Sequence, residues 1–439
     1  MKNMEDQTPH PSFWEGFKFW LKLGFISFGG PTGQISIMYQ ELVEKKKWVS
    51  NNRFLTALNY CMLLPGPEAH QLAIYIGWLL HKNSGGVVAG IFFVLPSIFI
   101  LLGLSTIYAA FGNIPWIAGI FMGLKPAVMA IVVTAVINIG KKALKNEVMA
   151  ILSALAFMAI FFLKIPFPLI VIGAGVIGLA GSVWLPSKFI VIKDKGEAYE
   201  EAYVQVCEDP ISCHIIPSKK RNVYLIMIFL FLWTFPFLAL FLIRSTPVFI
   251  TAGVFFTKAA FLTFGGAYSV LAYIAQAGVE QFHWLTAPQM LDGLGLAETT
   301  PGPLIMVVQF IGFMAGWNHP GNLTPFWGGL VGSLIATYFT FLPSFLFILL
   351  GGPYIEKFSG NKKISSTLSA ITASVVGVVL NLAVWFGIQI LFPETNGFNW
   401  FGAGVGLVSF VALQWGKIGM IPVILASGGM GLIWNLFLL

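Results

Sequence analysis

The sequence predicts an all-α polytopic membrane protein made of two homologous halves. The halves form an inverted-topology repeat, and their helices are broken at Gly-Gly and Pro-Gly-Pro motifs. Three observations carry this: long apolar runs nearly free of charge, a self-match that preserves polar residues, and basic loops whose sidedness reverses between equivalent positions.

The apolar runs come first. Of 439 residues, 57% are hydrophobic and only 10% charged, against about 25% charged in a soluble domain, so the chain lacks the charge to cover a wet surface. Mean hydropathy is +0.82. Residues 85–111, 114–139, 223–243 and 324–351 each give twenty or more positions with at most one charge, and about 20 suffice to cross a bilayer. In lipid the backbone must satisfy itself, which leaves helices or closed barrels. Barrel strands would alternate in polarity, and these runs do not. The N-terminus, MKNMEDQTPHPSFWEG, has no charged segment followed at once by an apolar core, so no cleavable signal peptide is expected. The net charge of +7 reads as loop charge on the cytoplasmic side rather than a nucleic-acid footprint.

The duplication is visible by sliding the chain 236 positions. Residues 19–67 then lie over 255–303 without a gap, and 15 of those 49 positions are identical. The identities include Lys22/Lys258, Phe28-Gly29-Gly30/Phe264-Gly265-Gly266, Gln40/Gln276, Glu44/Glu280, Trp48/Trp284 and Pro65-Gly66-Pro67/Pro301-Gly302-Pro303. The match resumes at Leu95-Pro96-Ser97/Leu342-Pro343-Ser344 and at Asn138/Asn381. Shared apolar composition could match scattered leucines but not this polar register.

Charge orients the halves. Lys45, Lys46, Lys47 and Arg53 align with Gln281, Phe282, His283 and Gln289; Lys141, Lys142 and Lys145 correspond to an uncharged stretch near 386–399; Lys357, Lys362 and Lys363 correspond to the lysine-free region Tyr108–Trp116. Equivalent loops with opposite basic bias face opposite sides of the membrane, an architecture found in many secondary transporters. Inversion needs an odd crossing between the halves, which 223–243 supplies. The expected division is an N-terminal repeat at 1–186, a cytoplasmic linker plus the odd span at 187–246, and a C-terminal repeat at 247–439. The linker, 187–222, carries six basic and six acidic residues and reads as solvated.

The breaks point to a site. Proline removes a donor and clashes with the turn before it, and glycine permits the bend. Such breaks persist in lipid only where freed backbone is buried in protein or lines water. Matched breaks in both halves are the sequence pointer to a midplane binding site; the alternative is kinks that serve packing alone. A helix begun after each Pro-Gly-Pro offers free N–H groups and a partial positive charge suited to an anion. Lys22 and Lys258 lie six residues before their Gly-Gly breaks, about 9 Å along a helix. They are read either as paired cations facing an anion or as chains snorkelling to the interface. Glu68 follows one Pro-Gly-Pro and Glu298 precedes the other; Glu68 reads as a first-turn acid or as a proton acceptor. Lys125 interrupts an apolar run with no evident structural reason. Cys207, Cys213 and His214 fit no standard zinc spacing, and no metal or cofactor is expected. The chain holds no phosphate-binding loop of the ATPase type and no paired histidine motif, so neither a pump nor an enzyme is expected, and an anion channel is the rival from another class.

At these residues the chain resembles a known family. The stretches FGGPTGQI (28–35), LNYCMLLPGPEAHQLAIYIGWLLH (58–81), FGGAYSVLAYIAQ (264–276) and GLAETTPGPLIMVVQFIGFMAG (295–316) resemble the long-chain, two-domain form of the chromate ion transporter family. The resemblance covers nearly the whole chain. It implies a bacterial plasma-membrane protein that exports chromate, with sulfate as a chemically similar anion; a carrier of sulfate or a related oxyanion is the alternative, and a homodimer stays open. By motif it implicates Gly29, Gly30, Pro31, Pro65, Gly66, Pro67 and Glu68, and Gly265, Gly266, Pro301, Gly302 and Pro303. To these the residue reading adds Lys22, Lys258 and Glu298. His70 departs from the family pattern, where glutamine is expected.

Overall fold

A computed structural model of the chain describes residues 10–189, 218–242, 246–355, 362–393 and 397–437. Most of the expected linker, including Cys207, Cys213 and His214, lies outside the described residues.

The described residues are helical throughout their ordered elements. The first repeat holds α1 (Phe13–Ile26), α2 (Gly30–Tyr39), α3 (Asn51–Cys61), α4 (Glu68–Phe111), α5 (Pro115–Ala143), α6 (Glu147–Phe161), α7 (Phe167–Trp184) and the short α8 (Pro186–Phe189). A single helix, α9 (Lys219–Leu242), stands between the repeats. The second repeat holds α10 (Pro247–Phe261), α11 (Ala267–Gln276), α12 (Ala287–Thr299), α13 (Val307–Asn318), α14 (Pro325–Gly351), α15 (Lys362–Leu391), α16 (Trp400–Gln414) and α17 (Met420–Phe437). Among the described residues, seven helices are long and apolar enough to cross a membrane.

Local sequence explains where these helices start, and the signals recur in both repeats. Ser50 caps α3 through the Arg53 amide, and Thr286, its equivalent, caps α12 through the Gln289 amide. Each cap satisfies a backbone donor that the helix cannot. Asn146 and Asn399 cap α6 and α16. α2 and α11 both run on into a single wide turn, Gln40–Lys45 and Ala277–Gln281. Those turns end at Lys47 and His283, equivalent residues held at φ 52° and 53°.

Each repeat opens with two re-entrant hairpins. α1 has 14 residues, about 21 Å of rise, short of a hydrocarbon core of about 30 Å. The chain turns at Phe28-Gly29-Gly30, and α2 brings it back until Trp48 packs on Phe19, ring centroids 5.5 Å apart. Trp284 packs likewise on Phe255, at 5.6 Å. The second hairpin of each repeat turns at Pro-Gly-Pro. In the first repeat it returns to the start of α1, where His81 Nε2 lies 3.0 Å from the Pro11 carbonyl. In the second it returns to the preceding turn, where Asn318 Nδ2 donates to the Trp284 carbonyl at 2.9 Å.

α4 is itself two limbs. Its backbone leaves helical angles at His81 (φ −136°) and Lys82 (φ 56°), and the limbs fold together on glycine. A Cβ on Gly77 would stand 2.4 Å from the Gly85 carbonyl; one on Gly312 would stand 2.4 Å from that of Gly332. Small residues permit this close approach in both repeats.

The inversion is legible along the two long helices. The outer limb of α4 leaves the mouth of the first-repeat hairpins at Gly85. It meets Pro301 through Ser97 and reaches Asp292, near the mouth of the second-repeat hairpins, through Tyr108. α14 makes the opposite journey: Gly328 against Gly316, Ser344 beside Gly66, and Gly351 against Tyr60. The hairpins of the two repeats therefore open to opposite faces. The face of the first-repeat mouths carries Lys45–Lys47, Lys82, Lys141, Lys142 and Lys145, with Lys188 tied in by Asn146. Among the described residues the loops of the other face carry Lys164 as their cation. This is the reversed bias read from the sequence.

The halves interlock. α5 lies on α17, where a Cβ on Gly123 would meet the Ser427 carbonyl at 1.9 Å; α15 lies on α6 and α7, where one on Gly377 would meet the Ser153 carbonyl at 2.0 Å. Each repeat's long helix thus packs on the other repeat's last helices, and the largest apolar core draws on both.

Candidate functional site

The four hairpin tips meet in the interior. The Gly66 amide donates to the Thr263 carbonyl at 2.7 Å, and the Gly302 amide donates to the Ser27 carbonyl at 2.7 Å. These bonds are repeat images of each other: residue 66 corresponds to 302, and residue 27 to 263. Each Pro-Gly-Pro tip is thus tied to the residue before the Phe-Gly-Gly of the other half. Gly66 and Gly302 sit at φ 128° and 106°, a region closed to most side chains.

Polar side chains surround the crossing. Ser97 Oγ donates to the Pro301 carbonyl. Its equivalent, Ser344, lies beside Gly66, where a Cβ would come within 3.0 Å of its Oγ. Gln34 Nε2 donates to the Gly302 carbonyl at 2.5 Å, and Gln71 Nε2 to the Pro65 carbonyl at 2.7 Å. Ser27 Oγ, Gln34 Oε1, Gln71 Oε1 and Ser344 Oγ are buried without a hydrogen-bond partner. A cluster of buried polar atoms this open is costly unless water or a ligand meets it.

The helix ends give the crossing its electrostatic sign. α2 starts after Gly29, α4 after Pro67 and α11 after Gly266, none with a side-chain cap. After Pro303 a tight turn, Leu304–Met306, leads into α13, again without one. Four helix N-termini therefore begin at the tips. The Ser27 and Thr263 carbonyls of the incoming strands are already engaged, while first-turn N–H groups remain as donors. The first-turn N–H groups and the Ser27 and Ser344 hydroxyls can donate to an anion, whereas the Gln34 and Gln71 amide oxygens can only accept.

The expected residues divide into those the fold gathers here and those it does not. Gly29, Gly30, Pro31, Pro65–Pro67, Gly265, Gly266 and Pro301–Pro303 form the tips. Glu68 is the first residue of α4. Glu298 is buried at the end of α12 and accepts from Tyr268 Oη at 2.7 Å. Lys22 is exposed and lines a polar cavity with Glu15, Lys18, Glu41, Lys46 and Trp48, toward the first-repeat mouth. Lys258 is exposed on α10. No hydrogen bond ties either lysine to the tips. His70 is a core residue: fully buried, Nε2 3.2 Å from the Gly90 carbonyl, edge-on to Phe341 and Phe345.

The two repeats differ in openness. Thr32 and Ser36 on α2, with its flanking residues Gly29 and Gln40, form an exposed polar stripe, unsuited to lipid. On the other side, 290–298 and 300–316 are buried without a break. The exposed stripe belongs to the first repeat, and the corresponding face of α11 in the second is more buried.

Sequence reasoning missed the residues that build the crossing's walls. The matched Leu-Pro-Ser segments were the signal for Ser97 and Ser344. Asp292 was also missed, although Lys125 stood unexplained. Lys125 Nζ lies 3.4 Å from Asp292 Oδ2, to which Tyr108 Oη also donates, at 2.9 Å.

Comparison with known proteins places these features. A family model described as "Chromate transporter" matches residues 14–179 and 250–432, one segment in each repeat. A chromate transport protein of Pseudomonas aeruginosa is 30% identical over 444 residues, covering 99% of this chain and 94% of that protein. One from Cupriavidus metallidurans is 27% identical over 83% of this chain and 80% of that protein. A probable chromate transport protein of Synechococcus elongatus is 27% identical over 85% and 84%. No solved structure matches the chain.

Proposed function

Because the chain belongs to the chromate transporter family, we propose that this multi-pass protein of the bacterial cell membrane is a secondary carrier that exports chromate from the cytoplasm. The observation that carries the reading is the tip-to-tip crossing, where four uncapped helix N-termini begin among buried, unpartnered polar atoms. A tetrahedral oxyanion fits such a site, because backbone N–H groups can meet its oxygens from several directions without a planar fork. The polar stripe on α2 gives access from the basic, cytoplasmic face. Lys22 and Lys258 serve as cations along the approaches, drawing the anion from each mouth toward the tips.

Energetics favour this direction. Moving two negative charges out of an inside-negative cell releases about 4–5 kcal/mol per 100 mV, equivalent to a concentration ratio of about a thousandfold. Export then needs a site and alternating access but no coupled ion. Sulfate, of the same shape and charge, is the expected competitor. A carrier is favoured over a channel because an inverted repeat with broken helices meeting at the centre is the architecture of secondary transporters.

The test is flux of radiolabelled chromate and sulfate in proteoliposomes, first with an imposed potential and then with an imposed pH gradient. Chromate movement that follows the potential and is slowed by sulfate is the expected result. No chromate movement under either gradient, or single-channel currents in a planar bilayer, would overturn the reading.

A further inference from the structure

The Lys125–Asp292–Tyr108 cluster is not used by the site above. It bridges the repeats: Lys125 on α5 and Tyr108 on α4 belong to the first, Asp292 on α12 to the second. It lies on the second-repeat side of the crossing. Asp292 is five residues into α12, and Tyr108 is near the end of α4 that reaches the second-repeat mouth. An ion pair buried at this depth gains no obvious stability over apolar packing of the same volume, and intramembrane charges of this kind mark substrate or ion pathways.

Its geometry is incomplete in a specific way. Asp292 is 3% exposed and its Oδ1 has no hydrogen-bond partner, while Oδ2 takes both Lys125 and Tyr108. The Lys125 side chain is 28% exposed, against 4% for that of Asp292. The first repeat has no counterpart: Thr56 stands where the second has Asp292, and its hydroxyl turns back to the Asn52 carbonyl at 2.9 Å. The pair therefore belongs to the second-repeat side, and the first-repeat side lacks one.

We infer that Lys125 and Tyr108 form a second oxyanion subsite on the outward path, occupied in the closed state by the Asp292 carboxylate as an internal counter-ion. Two donors, an ammonium and a phenol, already converge on one carboxylate oxygen, and an oxyanion oxygen satisfies them equally. When a dianion arrives from the crossing it replaces Asp292 on Lys125. α12 is then freed from α4 and α5, and the outer path opens. Substrate and gate are coupled through one ammonium. This rests on the transport reading above and adds where the anion goes after the crossing.

The experiment compares Lys125→Met, Asp292→Asn and the double variant with wild type, all purified. It measures chromate binding by calorimetry and flux in vesicles under an imposed potential. Asp292→Asn removes the competitor and should bind chromate at least about threefold more tightly. Lys125→Met should bind about tenfold more weakly. The double variant, in which no charge is left unpaired, should fold as well as wild type by melting temperature and still bind weakly and transport poorly. A purely structural ion pair predicts the reverse, because neutralising both partners rescues a structural pair. Double-variant protein with wild-type affinity and flux overturns the subsite alone. Wild-type vesicles that move no chromate overturn the transport reading and the subsite with it.

Discussion

The tip-to-tip contact makes a quantitative prediction at Gly302. Its φ of 106° is a conformation that costs an L-residue about 1–3 kcal/mol. A Cβ there would stand 1.9 Å from Ser97 Oγ and 3.1 Å from Ser97 Cβ. Alanine must therefore displace the serine hydroxyl from the Pro301 carbonyl, a further loss of about 0.5–1.5 kcal/mol for the hydrogen bond. Together Gly302→Ala should destabilise the crossing by about 2–4 kcal/mol, enough to shift a local equilibrium by about 30- to 1000-fold. Ser97→Ala added to Gly302→Ala relieves the clash with the hydroxyl but gives up the same hydrogen bond and keeps the backbone strain, so the double variant should melt close to Gly302→Ala. Gly103→Ala is the control, because a Cβ there meets nothing within 4 Å. Melting of purified protein in detergent and chromate flux in vesicles are the measurements. If Gly302→Ala melts and transports as Gly103→Ala does, the tips do not meet as described, and the site built on them falls.

Two further predictions follow from other elements. Single cysteines at positions 47 and 283, equivalent in the repeat and both at left-handed turns, should label from opposite sides of intact cells; labelling of both from one side would refute the inversion. Lys22→Met and Lys258→Met keep side-chain length and remove charge. If the two lysines draw the anion inward, each should lower flux at low chromate several-fold while melting temperature stays unchanged, with the loss shrinking at high salt as screening removes the attraction. Flux at wild-type level across all salt concentrations would leave them as interfacial anchors.

The helices, their breaks and the inversion were written in the sequence for definite physical reasons. Lipid forces long apolar runs into helices. Gly-Gly and Pro-Gly-Pro forbid those helices to continue, and basic residues avoid the outer face. Each is a one-dimensional constraint, so residues 19–67 and 255–303 could be matched and oriented by inspection. The family motifs, too, are local strings. What the sequence alone did not determine is which tips touch. That Gly66 reaches Thr263 and Gly302 reaches Ser27 depends on two hairpins entering from opposite faces to the same depth, set by packing of glycine on glycine along α4 and α14. The walls of the crossing escaped for the same reason: Gln34, Gln71 and Ser344 are ordinary residues until distant backbone arrives beside them. Lys125 and Asp292 show the difference most plainly. Each was an isolated charge in an apolar segment, 167 positions apart in the chain, and only the interlocking of the repeats brings them within 3.4 Å. A buried charge announces that it needs a partner; where the partner comes from is decided by the fold.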